Sequence, residues 1–145
     1  MLTDVHCIEV DESRFPLLVV SFHGVVSDEK FDAYLATITR RLRRRDRYVT
    51  LVDATRAGHI PATQRKKQAD WQRSHTELLR THNLGTAFAL SSPMIRGFLT
   101  AIFWMQALPS PHHVAATRAE AEGWALECLR RHGLCIPATH ALTAR

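Results

Sequence analysis

The chain has 145 residues, of which 46% are hydrophobic and 23% are charged, a balance typical of one globular domain that buries its core without metal or disulfide support. The formal net charge of +5 is consistent with simple solubility and also with an acidic partner such as nucleic acid, anionic lipid or an acidic protein face. Three cysteines without framework spacing argue against a disulfide scaffold and favour reduced thiols in a cytoplasm.

Two strands and a helix are predicted first. The segments Val5 to Val10 and Leu17 to Phe22 have strand patterns, and the first is more polar, as expected of an edge strand. Ser27 is suited to cap the helix that follows. The core-facing stripe of that helix is formed by Phe31, Tyr34, Leu35, Ile38 and Leu42. Its arginine-rich end, residues 40–45, suits the helix dipole, and an anion-binding patch is the open alternative.

The segment Tyr48 to Val52 predicts a strand buried on both faces, because it is aromatic and β-branched and carries no charge. The strand is expected to stop on Asp53, Thr55 and Gly58. In open α/β sheets, ligands and partners dock at the carboxyl ends of the strands. This turn is therefore the best candidate site, although it has no catalytic signature.

A helix is predicted from Pro61 to His82, since proline suits the first helical turn. Trp71, His75 and Leu78 share a face that charged residues surround, so the helix is expected to cover the sheet poorly and to be peripheral. Basic neighbours make Trp71 suitable for stacking a base or holding an anion. The other interpretation is a tryptophan half-buried on the sheet.

After a strand from Leu84 to Leu90, Ser92 and Pro93 predict the start of a helix that is apolar nearly all round and reaches Leu108. One face, expected to cover the sheet, has Ile95, Phe98, Leu99 and Ile102. The opposite stripe, predicted to be buried in a homodimer or against a stable partner, has Met94, Ala101, Trp104, Met105 and Leu108. The alternative is a monomer in which the helix from Pro61 to His82 folds over this stripe.

The remaining elements are a predicted strand from His112 to Ala116 and a helix that begins at the capping box Thr117 to Glu120 and ends at Gly133. Residues 1–133 are predicted to form one domain, and residues 134–145 a frayed tail. The element order β-β-α-β-α-β-α-β-α predicts the α/β class, with a mixed, mostly parallel β-sheet flanked by helices.

This element order, with Val49-Thr50-Leu51-Val52-Asp53-Ala54-Thr55 as the central strand and turn, resembles the STAS domains over roughly residues 5 to 132. It is most similar to the SpoIIAA-like branch of single-domain bacterial proteins, which resemble anti-sigma-factor antagonists. The resemblance implies a domain that binds other proteins and has no cofactor. The Asp-Ser-Ser-Gly-like motif of the antagonists, whose serine is phosphorylated, is replaced here by residues 58–64. Thr55 and Thr63 are the only hydroxyls nearby, so no functional serine is assigned.

Three functions are compatible with the sequence. The first is a cytoplasmic, non-enzymatic regulator that docks a protein partner at the loop after the central strand. Its predicted partner-binding residues are Asp53, Thr55, Arg56, His59, Thr63, Arg65 and Trp71. The second is a binding module for an anionic ligand (nucleotide, lipid or nucleic acid) that uses the basic helix of residues 61–82. The third is a small enzyme with Asp53 and His59 as acid and base.

The sequence gives little support for a metal site, a hydrolase or phosphate-binding motif, or a membrane segment. Cys128, His132 and Cys135 form the best local metal cluster, but they straddle a helix end and lack a fourth ligand, so no metal site is predicted. Neither a Gly-x-Ser-x-Gly elbow nor a phosphate-binding glycine loop occurs. The first residues lack a signal-peptide pattern, and the apolar segment Gly97 to Leu108 is too short to span a bilayer.

Overall fold

A computed structural model describes residues 6–137 of the chain. The strands in this range are β1 (Cys7–Asp11), β2 (Leu17–Gly24), β3 (Tyr48–Ala57), β4 (Asn83–Ala89) and β5 (His112–Ala115). The helices are α1 (Asp28–Arg43), α2 (Ala62–Ser74), α3 (Thr76–His82), α4 (Pro93–Met105) and α5 (Arg118–Arg131). The predicted α/β class with a mixed, mostly parallel sheet is confirmed.

The sheet has the strand order β1-β2-β3-β4-β5. β1 runs antiparallel to β2, and each later pair of neighbours is parallel. Crossovers between parallel strands are right-handed, and the strands follow one another in one direction. The helices α1 to α4 therefore lie on one face, and α5 covers the other face. β1 has the predicted edge position; Val5, its predicted start, lies outside the described residues.

Alternating side chains of the strands supply two cores, one on each face of the sheet. The core beneath α5 includes Leu17, Val19, Val49, Leu51, Ala87, Ala121, Ala125 and Leu129. The core beneath α1 to α4 includes Leu18, Val20, Phe31, Ile38, Leu42, Ala54, Leu79, Phe88, Leu90 and Ile95. The predicted stripe of α1 packs entirely into this second core.

The predicted helix caps are confirmed. The hydroxyls of Ser27, Ser92 and Thr117 accept hydrogen bonds from first-turn N–H groups of α1, α4 and α5. These bonds satisfy donors that a helix start leaves without partners. Gly133, just after α5, has φ +74°, the left-handed conformation that commonly ends a helix at glycine.

The predicted helix from Pro61 to His82 is wrong in two respects. First, it is broken at His75, whose backbone (φ −118°, ψ 23°) is not helical, so that α2 and α3 are separate. Second, α2 is not peripheral, because Gln64, Ala69 and Gln72 are buried. The hydrophobic pattern fails to reveal this packing because the buried face of α2 consists largely of amide side chains.

The arginine-rich end of α1 includes one buried cation. Arg41 donates to Glu12 and to Asp46, and its guanidinium lies 3.9 Å from the centroid of the Phe15 ring. The interaction therefore fastens α1 to the β1–β2 turn. The helix-dipole interpretation still suits Arg40, which is exposed in the last turn.

α4 ends at Met105, three residues before the predicted end at Leu108. Leu108 packs against the core that contains Phe88, and this contact corrects its assignment to the outward stripe. The chain leaves the helix there because Pro109 and Pro111 follow. Within residues 6–137, no helix combines the length and the apolar character that crossing a membrane requires.

The first residues of the predicted frayed tail are packed against the domain. The backbone N–H of Leu134 donates to the carbonyl of Leu129 at 2.9 Å, and Leu134 and Ile136 pack against the core beneath α5. The remainder of the predicted tail, residues 138–145, lies outside the described residues. The domain boundary at residue 133 stays a prediction.

Candidate functional site

Asp53 lies within β3 and not at its end, which corrects the predicted stop of the strand. From the pair Ser21–Asp53 to the pair His23–Arg56, β3 advances by three residues and β2 by two, so β3 has a β-bulge here. The Asp53 Oδ1 atom accepts hydrogen bonds from the Thr55 N–H at 3.0 Å and from Thr55 Oγ1 at 2.6 Å. The carboxylate thus holds the bulge in place.

A chain of ion pairs leads from this bulge across α5 to the β1–β2 turn. Arg118 Nη1 lies 3.2 Å from Asp53 Oδ2, and Arg118 Nε lies 3.9 Å from Glu122 Oε1. Arg14 Nη2 is 3.0 Å from Glu122 Oε2. Burial raises the pKa of Asp53, but hydrogen bonds from Thr55 and Arg118 outweigh it and lower this pKa below its ordinary value. The hydrogen bond from Arg14 lowers the pKa of Glu122.

The sheet separates Asp53 from most of the other predicted partner-binding residues. Asp53 and Thr55 alternate with Ala54, which packs on the opposite face beside Phe88. They therefore lie on the α5 side of the sheet. Arg56 is exposed near the end of β3.

The loop after β3 lies on the other side, against α4. The ring of His59 is 5.2 Å from the ring of Phe98, centroid to centroid, in an edge-on arrangement. The Arg65 guanidinium lies 4.9 Å from the same ring centroid and donates to the Ile60 carbonyl. An acid–base pair of Asp53 and His59 would require both groups on one side of the sheet, so this arrangement does not support the enzyme hypothesis.

The basic residues of α2 are mostly paired with acidic neighbours. Lys66 Nζ lies 2.8 Å from Asp70 Oδ2, and Arg73 Nη1 lies 2.8 Å from Asp70 Oδ1. Lys67 Nζ is 2.8 Å from Asp32 Oδ1 on α1. These pairs cancel much of the positive charge that the sequence places on this helix.

Trp71 is packed between helices. Its indole N–H donates to Thr39 Oγ1 of α1 at 2.8 Å, and its ring centroid is 4.9 Å from that of His75. This geometry corresponds to the half-buried interpretation, because both the N–H and part of the ring are used inside the fold. Thr63, near the start of α2, is exposed.

The sheet-facing side of α2 carries glutamines at residues 64, 68 and 72, one turn apart. Gln64 is 2% exposed, and its Nε2 donates to the Val26 carbonyl at 3.0 Å and to Asp28 Oδ1 at 2.9 Å. It therefore ties the start of α2 to the start of α1. A buried amide of this kind is stable only with such partners.

Gln68 and Gln72 belong to a second series of hydrogen bonds, which runs from α1 to the end of α4. Tyr34 OH donates to Gln68 Oε1 at 3.1 Å, and Gln68 Nε2 donates to Gln72 Oε1 at 3.2 Å. Gln72 Nε2 then donates to the Gln106 carbonyl, just past α4, at 2.8 Å. We call this series the amide ladder; it links α1, α2 and the end of α4.

The amide ladder borders a cavity of about 120 Å³ between the sheet and the helices α1 to α4. Its apolar wall includes Val52, Ala54, Phe88, Ile95, Leu99 and Ile102, and its polar wall includes Thr50, Asn83, Thr86, Gln68 and Gln72. Natural cores contain few voids larger than a water molecule. The present cavity is larger than such a void and is partly open.

α4 forms one wall of this cavity through Ile95, Leu99 and Ile102, and it exposes large apolar side chains on its outer side. Trp104 is 86% exposed, Met94 51% and Met105 41%. Ile95 and Ile102 are buried on the inner side as predicted, with Phe98 and Leu99 packed beside them. We call the outer side, with Met94, Ala101, Trp104 and Met105, the α4 face.

Sequence reasoning missed the cavity and the amide ladder. The four-residue spacing of Gln64, Gln68 and Gln72 was the available signal, since residues at i, i+4 and i+8 share a helix face. Hydrophobic periodicity could not detect this face because glutamine counts as polar. Three-residue clusters of metal-binding side chains are absent from the part of the chain that the structure describes.

The comparison with solved structures finds the same architecture in another protein. No family model and no curated protein matches this sequence. An uncharacterized protein of the DUF3478 family from Shewanella loihica PV-4, described as having a SpoIIAA-like fold, superimposes with a TM-score of 0.61 and 14% sequence identity. The match covers 86% of this chain and 98% of the other. This similarity confirms the fold expected from the element order: the chain has a SpoIIAA-like fold.

Proposed function

We propose that this protein is a non-enzymatic regulatory domain of the bacterial cytoplasm that works by binding a protein partner on the α4 face. The observation that carries the proposal is Trp104, 86% exposed on a helix whose inner side is buried. Tryptophan and methionine are enriched at the centres of protein interfaces. An exposed group of such residues on a globular domain is typical of an interaction site.

The predicted docking loop adjoins this surface. His59, in the loop after β3, contacts Phe98 of α4, so this loop lies beside α4. A partner seated on α4 would therefore also contact the loop in which the resemblance places partner recognition. Asp53 and Thr55, on the α5 side of the sheet, have a structural role in this proposal.

The anionic-ligand alternative has less support. Its basic helix pairs Lys66, Lys67 and Arg73 with acidic side chains, and Arg65 lies on the Phe98 ring. An anion would have to displace these partners before it gained a contact. No observation in the described residues favours this function over partner binding.

The proposal is tested by affinity capture from bacterial extract with immobilised wild-type protein and two variants. Trp104→Ser changes the α4 face, and Leu126→Ser changes an apolar residue of α5 that is 37% exposed. Support requires a protein that the wild type and Leu126→Ser retain and Trp104→Ser loses. Proteins captured equally by all three, or by none, would contradict the α4 face as the docking site.

A further inference from the structure

We propose that the cavity behind α4 is a binding site for an uncharged, mostly apolar small molecule that carries one hydrogen-bonding group, such as a carboxamide, ketone or alcohol. This site is separate from the docking surface, because α4 lies between the two. Of the loop after β3, the cavity wall includes only Ile60. The proposal can therefore be true or false independently of partner binding.

The charge of the ligand follows from the cavity wall. No aspartate, glutamate, lysine or arginine side chain is among the residues that line the cavity. An ionised group transferred from water into such a site would be left without a counter-charge, which is strongly unfavourable. The site therefore selects a neutral molecule.

The size of the ligand follows from the volume. The cavity of about 120 Å³ is comparable to the engineered apolar cavity of roughly 150 Å³ that binds benzene in another protein. A single ring or a short branched chain is the body that fits. Phe88, Ile95 and Leu99 supply the apolar surface for it.

The hydrogen-bonding group follows from the amide ladder. A glutamine side chain has two N–H donors and an oxygen with two lone pairs. Gln68 uses one donor and one lone pair within the ladder, and Gln72 does the same. Each amide therefore retains one donor and one acceptor position without any charge, and both side chains line the cavity.

The polar side chains on the sheet side of the cavity bond mainly to one another, and the Thr86 hydroxyl keeps its own O–H donor. Thr50 Oγ1 donates to Asn83 Oδ1 at 3.0 Å, and Asn83 Nδ2 donates to Thr86 Oγ1 at 2.9 Å and to Ser110 Oγ at 3.3 Å. Asn83 is 2% exposed and uses both of its donors in these bonds. Recognition of the ligand's polar group is assigned to Gln68 and Gln72 on the helix side, because together they keep two donor and two acceptor positions, against one of each on Thr86.

The first experiment compares three probes of similar size: benzamide, benzene and benzoate. Binding is followed through methyl NMR signals and thermal unfolding of the wild-type protein. Benzamide and benzene should shift the methyl signals of Ile95, Leu99 and Ile102 and raise the melting temperature, while those of Leu126 stay unchanged. Benzoate should bind roughly tenfold more weakly than benzamide or worse, since its charge is not neutralised. Absence of binding by both neutral probes, or equal binding of benzoate, overturns the proposal.

The second experiment tests the amide ladder with the double variant Tyr34→Phe, Gln68→Leu. Both partners of the Tyr34–Gln68 hydrogen bond are removed together, so no unpaired hydroxyl is left, while Gln72 Oε1 loses the donor that Gln68 supplied. The variant should weaken benzamide binding several-fold and leave benzene binding nearly unchanged. An unchanged ratio of the two affinities rejects recognition by the ladder. Ala54→Leu, which places three more carbon atoms at the cavity wall, should weaken both neutral probes; unaltered binding in the folded variant rejects the site.

Discussion

Arg118 donates to the Asp53 carboxylate at 3.2 Å, and this ion pair fastens the first turn of α5 to the β-bulge of β3. The other carboxylate oxygen holds Thr55 two residues further along the strand. One side chain thus determines both the local shape of the central strand and the position of the helix that covers one face of the sheet. Asp53, which belongs to the turn predicted as the best candidate site, thus connects β3 to α5.

Asp53→Ala should destabilise the domain by about 1–2 kcal/mol, comparable to the loss of a helix cap. The Asp53 side chain is only 15% exposed, so the variant leaves the Thr55 N–H and the Arg118 guanidinium without their acceptor at a largely buried position. Urea unfolding of both forms measures the change. Asp70→Ala is the control, because its pairs with Lys66 and Arg73 lie at the surface, where solvent screens them, and its effect should be smaller. Equal effects of the two variants would contradict a special role of Asp53.

The stability of the domain should fall in acid. Interactions in the folded state lower the pKa of Asp53 and of Glu122, so the unfolded chain binds protons at higher pH than the folded one. This contribution is complete above the unfolded values, about 4 for both groups, and is lost as the pH falls through the lower folded values. Urea midpoints measured between about pH 6 and pH 3 test this. In the double variant Asp53→Asn, Glu122→Gln, the stability should decrease less between about pH 6 and pH 3 than in the wild type. An equal decrease would mean that other groups cause the acid sensitivity.

Local signals in the sequence predicted the ends of several elements correctly. Ser27, Ser92 and Thr117 cap their helices because a cap needs only neighbouring N–H groups. His112 and His113 point to opposite faces, as adjacent strand residues must: His112 lies against Phe103 of α4, and His113 stacks on Trp124 of α5. Such features depend on spacing along the chain and can be predicted without knowledge of tertiary contacts.

The mistaken predictions concern residues whose partners are distant in sequence. β3 continues beyond Asp53 because β2 pairs with it up to Gly24 and Ala57, which no local pattern reveals. The amide groups on the buried side of α2 donate to the carbonyls of Val26, just before α1, and of Gln106, just after α4. A polar helix face therefore looks solvent-exposed in the sequence even where tertiary hydrogen bonds bury it.

Gly85→Ala should destabilise the domain by about 1–3 kcal/mol, the usual cost of overpacking a core. A Cβ atom at residue 85 would lie 3.0 Å from Cys128 Sγ and 3.0 Å from the Trp124 ring. Gly123→Ala is the control: it lies within α5 with nothing within 4 Å of the added carbon, and alanine should stabilise the helix by up to about 1 kcal/mol. Thermal unfolding of both variants measures the difference. A neutral Gly85→Ala variant would show that α5 can move away from β4.

The last prediction concerns self-association through the α4 face. A second copy is the simplest partner for an exposed apolar helix, because a two-fold axis lets one patch cover itself. Burial of about 800 Å² per partner is the usual scale of a specific interface, and the α4 face can contribute Trp104 as its central residue. We expect a dimer by light scattering after size exclusion at protein concentrations in the tens of micromolar range. A monomer mass under these conditions rejects the dimer and leaves the α4 face to another protein.

If the dimer is observed, Met105→Glu should dissociate it without unfolding the domain. Met105 is 41% exposed, so that a carboxylate there remains hydrated in the monomer but is desolvated in the interface, where an unpaired charge is unfavourable. Leu126→Glu on α5 is the matched control, because it places the same charge at a residue 37% exposed on the opposite layer and should leave the dimer intact. Circular dichroism of both variants checks the fold. A Met105→Glu variant that unfolds would place Met105 in the core, and dissociation by both variants would show that added charge alone separates the subunits.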